Sequence, residues 1–268
     1  MKEFYLLQQE GFLARSCICI GLNSLSKGNI GEKGNFYSCF FSLSIGIERI
    51  AKLSVILNFL LENNMRFPSE KYLRDLGHDL LSLHSHINNA AMLKFPGLVT
   101  PINPVSIEMR ILEFLGDFAK KSRYYNLNVL GGSSSSQNPL TAWYQILVDC
   151  LKLDATPTDL DKIETMFALG EIMENRSAII SSGMGESSVT LPEQFGQNAV
   201  IHNSKHHIQM RVISVIKYFK SALVKFNVEC HNVSSLPKSS APPIPYFYEF
   251  FDFLDLPDKD LKRKKRWP

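Results

Sequence analysis

Apolar residues recur at helical spacing through most of the chain. The clearest stripe begins near Asn35, where Phe36, Phe40, Leu43, Ile47, Ile50, Leu57 and Leu61 lie three, four or seven positions apart. Those intervals put side chains on one side of an α-helix. The pattern predicts a long helix over about 35–62, ended by Asn63-Asn64 and Pro68, at the centre of the fold. An earlier helix is predicted over 4–25, with Gly11 and Gly21 as its weak points. The stretch 26–34, with three glycines among polar residues, reads as a loop.

Further along, Pro68-Ser69-Glu70 is a helix start signal. Gly77 interrupts the segment that follows, so that helix breaks and restarts. Pro96, Pro101 and Pro104 mark a loop, and a helix is predicted over 105–124. Gly131-Gly132 and the four serines after them read as a low-complexity loop. Helices are expected over 139–153 and 158–180, the second capped by Thr158 with Asp159 and Asp161 in its first turn. The glycines and serines of 181–199 predict a long flexible loop. A last long helix over 203–228 carries Val212, Val215, Ile216, Phe219, Leu223 and Phe226. Residues 234–245 read as a Pro/Ser linker. The aromatic segment 246–256 is expected to dock on the body as a short helix or turn, or else to serve as a partner's grip. No internal repeat and no strand alternation stands out. The fold class expected is all-α, an up-and-down bundle of about seven or eight helices.

Composition narrows the class without naming a function. At 268 residues, 45% hydrophobic and 21% charged, the chain is neither disordered, collagen-like nor a disulfide scaffold. The formal charge is +3, but the last ten residues carry +5, which leaves −2 for the remaining 258. The body therefore lacks a global field that collects nucleic acid. Five cysteines, mostly inside apolar runs, read as buried thiols of a reducing compartment. The start of the chain shows no signal peptide. The strongest apolar run, 53–61, is about half the length of a membrane helix. The expectation is a cytoplasmic protein with no membrane partner, no cofactor and no metal.

One stretch carries more than periodicity. Gly46-Ile47-Glu48-Arg49-Ile50-Ala51-Lys52-Leu53 on the long helix is followed by Phe67-Pro68 and then by Leu73-Arg74-Asp75-Leu76-Gly77-His78-Asp79-Leu80. Glu48 and Lys52 are i and i+4 in the favourable order for an ion pair. If the next helix runs antiparallel, His78 and Asp79 come close to them. That cluster of Glu48, Lys52, His78 and Asp79 either fixes helix register or poises the histidine for proton transfer.

This stretch resembles the HEPN superfamily, the "higher eukaryote and prokaryote nucleotide-binding" helical domains, over about residues 1–125. Many bacterial members show a Glu-and-Lys helix, a short loop and a Gly-His-Asp-Leu turn. The resemblance implies a helical bundle, often a homodimer. It implies a role in bacterial defence, toxin–antitoxin or RNA-associated systems, with RNA or a nucleotidyltransferase as partner. The organisation expected is then a HEPN-like bundle over 1–130, a helical elaboration packed on it over 131–233, and a linker, aromatic segment and basic tail over 234–268. The ribonuclease members carry an arginine and a histidine separated by four to six residues. Here Arg74 and His78 have three between them, so the catalytic motif is not matched. Arg74, His78 and Glu48 remain the catalytic candidates of an enzyme reading.

Other constellations compete with plainer explanations. Lys120, Lys121, Arg123 and Tyr124 combine basic groups with a stackable ring, as single-stranded nucleic acid requires. The plainer alternative is cations at a helix C-terminus with the tyrosines packed inside. His84-x-His86 and the pair His202 and His206 at i and i+4 have metal-like spacing, but no Glu follows His202 and the site reads as a helix start. The glycine runs lack the residues of a phosphate loop or a dinucleotide fingerprint. Lys262 to Arg266 reads as a solvated basic tail.

Overall fold

The computed structural model describes residues 1–132, 137–174, 181–185, 188–235 and 241–268. Among them run α1 (Lys2–Lys27), α2 (Gly34–Glu62), α3 (Glu70–Asp75), α4 (Leu80–Lys94), α5 (Ile107–Lys120), α6 (Tyr125–Leu130), α7 (Pro139–Asp154), α8 (Pro157–Glu174), α9 (Leu191–Ser234) and α10 (Asp258–Arg263). Seven of these are long and three span six residues each. The all-α bundle expected from the periodicity is the architecture observed. The serine run 133–136, the end of the helix predicted over 158–180, and 236–240 of the linker lie outside the described residues.

Helices α1 and α2 form the first hairpin, and glycine sets how closely they approach. A Cβ on Gly46 would sit 2.8 Å from Ile18 Cγ1 and 3.1 Å from the Ile18 backbone nitrogen. One on Gly21 would sit 2.6 Å from Leu43 Cγ. Gly11 and Gly21 therefore do not weaken α1, which is continuous; Gly21, with Gly46 opposite, is a point where two backbones meet. Gly116 in α5 is different, since its nearest neighbour would be Leu80 Cβ at 3.7 Å. Gly46→Ala should cost about 2 kcal/mol by overpacking. Gly116→Ala should stabilise by about 0.5 kcal/mol through helix propensity. Urea denaturation of the two variants checks the opposite signs; stabilisation by both would mean that α1 and α2 are not in glycine-dependent contact.

Helix α2 ends in two consecutive left-handed residues, Asn64 (φ 52°) and Met65 (φ 59°). Ser69 then caps α3 by accepting from the Tyr72 backbone N–H. Gly77, at φ +61°, reverses the chain, and Asp79 caps α4 by accepting from the N–H groups of Leu81 and Ser82. The break at Gly77 is thus a positive-φ turn followed by a fresh cap.

Three predicted features are corrected. The cap of α8 is Thr156, not Thr158: Asp159 N–H donates to Thr156 Oγ1 (3.3 Å) and Thr156 N–H to Asp159 Oδ2 (2.9 Å). The stretch 181–199 is not a long loop. Ser181–Ser182 (β1) pairs antiparallel with Ser188–Val189 (β2), and α9 begins at Leu191. A reciprocal capping box of Thr190 and Glu193, with Pro192 in the first turn, starts the helix twelve residues before Asn203. The 44-residue α9 is about 66 Å long. Finally, the basic tail is not a free solvated segment. Leu261 is fully buried, and Trp267 is 5% exposed. Asn23 exchanges two hydrogen bonds with the Trp267 backbone, at 2.9 and 3.1 Å. Two apolar anchors among the charges suffice to dock it.

One hydrophobic cluster runs from Leu7 to Trp267. At its centre the Phe40 ring meets Phe114, Phe118 and Trp143 at centroid distances of 4.7, 5.2 and 5.1 Å. Val212, Ile216, Phe219 and Leu223 of α9 are fully buried, where that helix packs on α2, α5 and α7. The aromatic segment docks on the body through Phe247, Phe251 and Leu254, all fully buried.

Candidate functional site

Glu48 lies midway along α2, on the side facing the turn between α3 and α4. Its Oε1 receives Lys52 Nζ at 2.8 Å, one helical turn on, and His78 Nδ1 at 2.8 Å. A carboxylate offers only lone pairs, so the His78 Nδ1–H donates. The Glu48 side chain is 19% exposed and that of His78 is 79% exposed. The histidine therefore rides on the surface, oriented from beneath by a half-buried ion pair. Chemically this is a carboxylate-steered imidazole, an arrangement suited to proton transfer or to hydrogen bonding with a ligand.

The other named residues have separate partners. Asp79 pairs with Lys120 at the end of α5 as well as capping α4. The Lys120 ammonium, aided by the backbone N–H groups of Ser82 and Leu81 against the effect of burial, holds its carboxyl below the usual range. Arg49 turns to Glu10 on α1. Arg74 lies on α3, exposed, 3.9 Å from Glu70. Because α3 stops before Gly77, Arg74 and His78 do not share one helical turn. Lys121 meets Asp117 at 3.5 Å. The Arg123 guanidinium lies 5.1 Å from the centre of the Tyr124 ring, which is exposed, while Tyr125 is buried. The Asp79–Lys120 pair brings the end of α5 next to the His78 turn. Around that corner two lysines face two carboxylates, a balanced surface.

A second polar group was not evident from the sequence. Asp159 at the start of α8 lies with His206 and His207 of α9, their ligand-type atoms all within 4.8 Å of one another. His207 Nε2 stands 3.3 Å from Asp159 Oδ2, and the two rings have centroids 3.7 Å apart. Burial pushes the Asp159 carboxyl up, but hydrogen bonds from Thr156 and His207 outweigh it and hold it down at about 2. Burial, with His207 beside it, keeps His206 below the ordinary histidine value. His202 is not a member of this group. The signals were the Thr156-x-x-Asp159 cap spacing and the His206-His207 dipeptide; their meeting is a matter of tertiary structure.

The remaining chemistry is structural. Arg211 forks onto Asp154 (2.6 and 2.8 Å) and reaches Glu108 (2.8 Å), tying α9 to α7 and α5. All five cysteines are free thiols, and burial pushes Cys150 and Cys230 up to about 12. His84 is buried against Tyr218 and Phe219, and burial lowers its pKa. Among the described residues, no helix is long and apolar enough to cross a membrane. No family model, curated protein or solved structure matches the chain.

Proposed function

We propose that this chain is a HEPN-like helical protein of bacterial defence, toxin–antitoxin or RNA-associated type that acts by binding rather than by efficient catalysis. The observation that carries the reading is Glu48 bonded at once to Lys52 and to His78 of the Gly77–Leu80 turn. This joins the segments on which the family resemblance rests. The separation of Arg74 from that group favours binding over cleavage. A competent phosphodiester site needs the guanidinium and the imidazole to converge on one phosphate, and here Arg74 is turned to Glu70.

A second reading, a homodimeric interaction module without chemistry, is favoured by one observation. Leu6, Leu13 and Ile20 are spaced seven apart on α1 and are 38–53% exposed, an apolar stripe of the kind a second copy covers.

The test is to incubate purified protein with a labelled single-stranded RNA and to read binding and integrity together. His78→Ala should change stability by no more than about 0.5 kcal/mol, because an exposed ring contributes little. The expected result is RNA held intact, with binding weakened about tenfold in His78→Ala. RNA decay by the wild type, lost in His78→Ala, would make the protein a metal-independent ribonuclease. An inert, RNA-free dimer in light scattering would leave the interaction module.

A further inference from the structure

We propose that Asp159, His206 and His207 bind a divalent transition-metal ion of the zinc class between the start of α8 and the middle of α9. This goes beyond the reading of the Glu48–His78 group and does not depend on it. Three features carry it. The first is the donor set. Two imidazoles and one carboxylate suit zinc, with the carboxylate offsetting part of the ion's charge.

The second is spacing. The potential ligand atoms lie within 4.8 Å of one another. Ligand atoms on a tetrahedral zinc are about 3.3 Å apart, given bonds of about 2.0–2.1 Å. The His207 Nε2 to Asp159 Oδ2 separation is 3.3 Å, already one edge of that tetrahedron and long for a charge-assisted hydrogen bond. From separations within 4.8 Å, His206 completes the face by moving inward no more than about 1.5 Å, a rotamer-scale adjustment.

The third is support around the ligands. Asp159 is 7% exposed, and its Oδ2, the oxygen that faces His207, accepts from the Thr156 backbone N–H (2.9 Å) and hydroxyl (2.8 Å). Outer hydrogen bonds of this kind fix a metal-binding carboxylate. A cavity of about 310 Å³ between α8 and α9 is lined by Lys162, Thr165, Met166, Ala199, His202 and Asn203 and by none of the three ligands. Lys162 follows Asp159 by three residues, and His202 and Asn203 precede His206 and His207 by four. The cavity therefore occupies the next turn of the same groove. A three-ligand ion keeps a position for water or another small ligand.

The experiment uses the full chain, stripped with a chelator, and titrates it with Zn²⁺ by calorimetry and with Co²⁺ by visible absorption. The expected result is one equivalent bound, with the intense Co²⁺ bands of a four-coordinate site. His206→Ala and His207→Ala should each weaken binding about tenfold or more, and His86→Ala, at an exposed histidine of α4, should not. No saturable uptake overturns the proposal and leaves an Asp–His interlock between helices. Uptake that survives the double variant His206→Ala/His207→Ala overturns it as well. Should either variant fail to fold, the wild-type imidazole resonances decide. Zinc-induced shifts confined to His206 and His207 support the site, and shifts at other histidines alone sink it.

Discussion

Trp143→Ala is expected to lower the stability of the protein by about 4 kcal/mol, within the range for a large aromatic removed from a packed core. Trp143 is fully buried. Its ring lies 5.1 Å from Phe40 and 5.2 Å from Phe114, so it packs α7 against both α2 and α5. Truncation removes the transfer free energy of the indole and leaves a void that three helices would have to move to close. The indole N–H has no hydrogen-bond partner among the described residues, so little polar stabilisation is lost with it. Trp143→Phe should therefore cost much less, about 1–2 kcal/mol, as a partial loss of volume. Urea denaturation gives both numbers. For a chain of this size the alanine variant should melt roughly 8–16 °C lower. A loss under 1 kcal/mol would show that α7 is not integral to the core.

Trp143 stands out only in three dimensions, and that marks the limit of what the sequence shows. Periodicity exposes helices because a buried stripe must repeat every three or four residues, and α2 was legible from Phe36 to Leu61 for that reason. It fails where a helix begins among glycines and serines. The first turns of α9 were hidden until the Thr190–Glu193 cap was seen to close. It also fails for charged segments held by one or two apolar anchors, as Leu261 and Trp267 hold the tail. At the candidate site, Glu48 and Lys52 were legible because a helix brings i and i+4 together, and His78 because Gly77 before it marks a break after which the chain can return antiparallel. Asp79's partner Lys120 and the meeting of Asp159 with His207 were not. Those pairs are 41 and 48 positions apart, and only helix packing joins them.

Asn227→Ala is expected to cost about 2 kcal/mol, because it strips the buried Phe247 N–H of its partner and leaves the Pro245 carbonyl to the His231 ring. Asn227 is 1% exposed. Its Nδ2 donates to the Pro245 carbonyl and its Oδ1 accepts from the Phe247 N–H, both at 3.0 Å. The carboxamide thus replaces the strand or helix partner that the chain lacks where it enters the aromatic segment. Phe247 and Phe251 are fully buried beyond this point, and their burial requires the backbone to descend into an apolar site, where the Pro245 carbonyl accepts from Asn227 and from the His231 ring. Alanine leaves the Phe247 N–H dehydrated and the Pro245 carbonyl with one partner fewer, or else the segment lifts and exposes its rings. The two outcomes differ in proteolysis. Lifting predicts cleavage within 246–256 well below the unfolding transition, since local opening then has a lower free energy than global unfolding. Asn227→Asp should not rescue the loss, because it keeps an acceptor for Phe247, removes the donor to Pro245 and introduces a charge into the core. Unchanged cleavage with a loss below 1 kcal/mol would mean that the aromatic rings alone hold the segment down and that Asn227 merely fills the space beneath it.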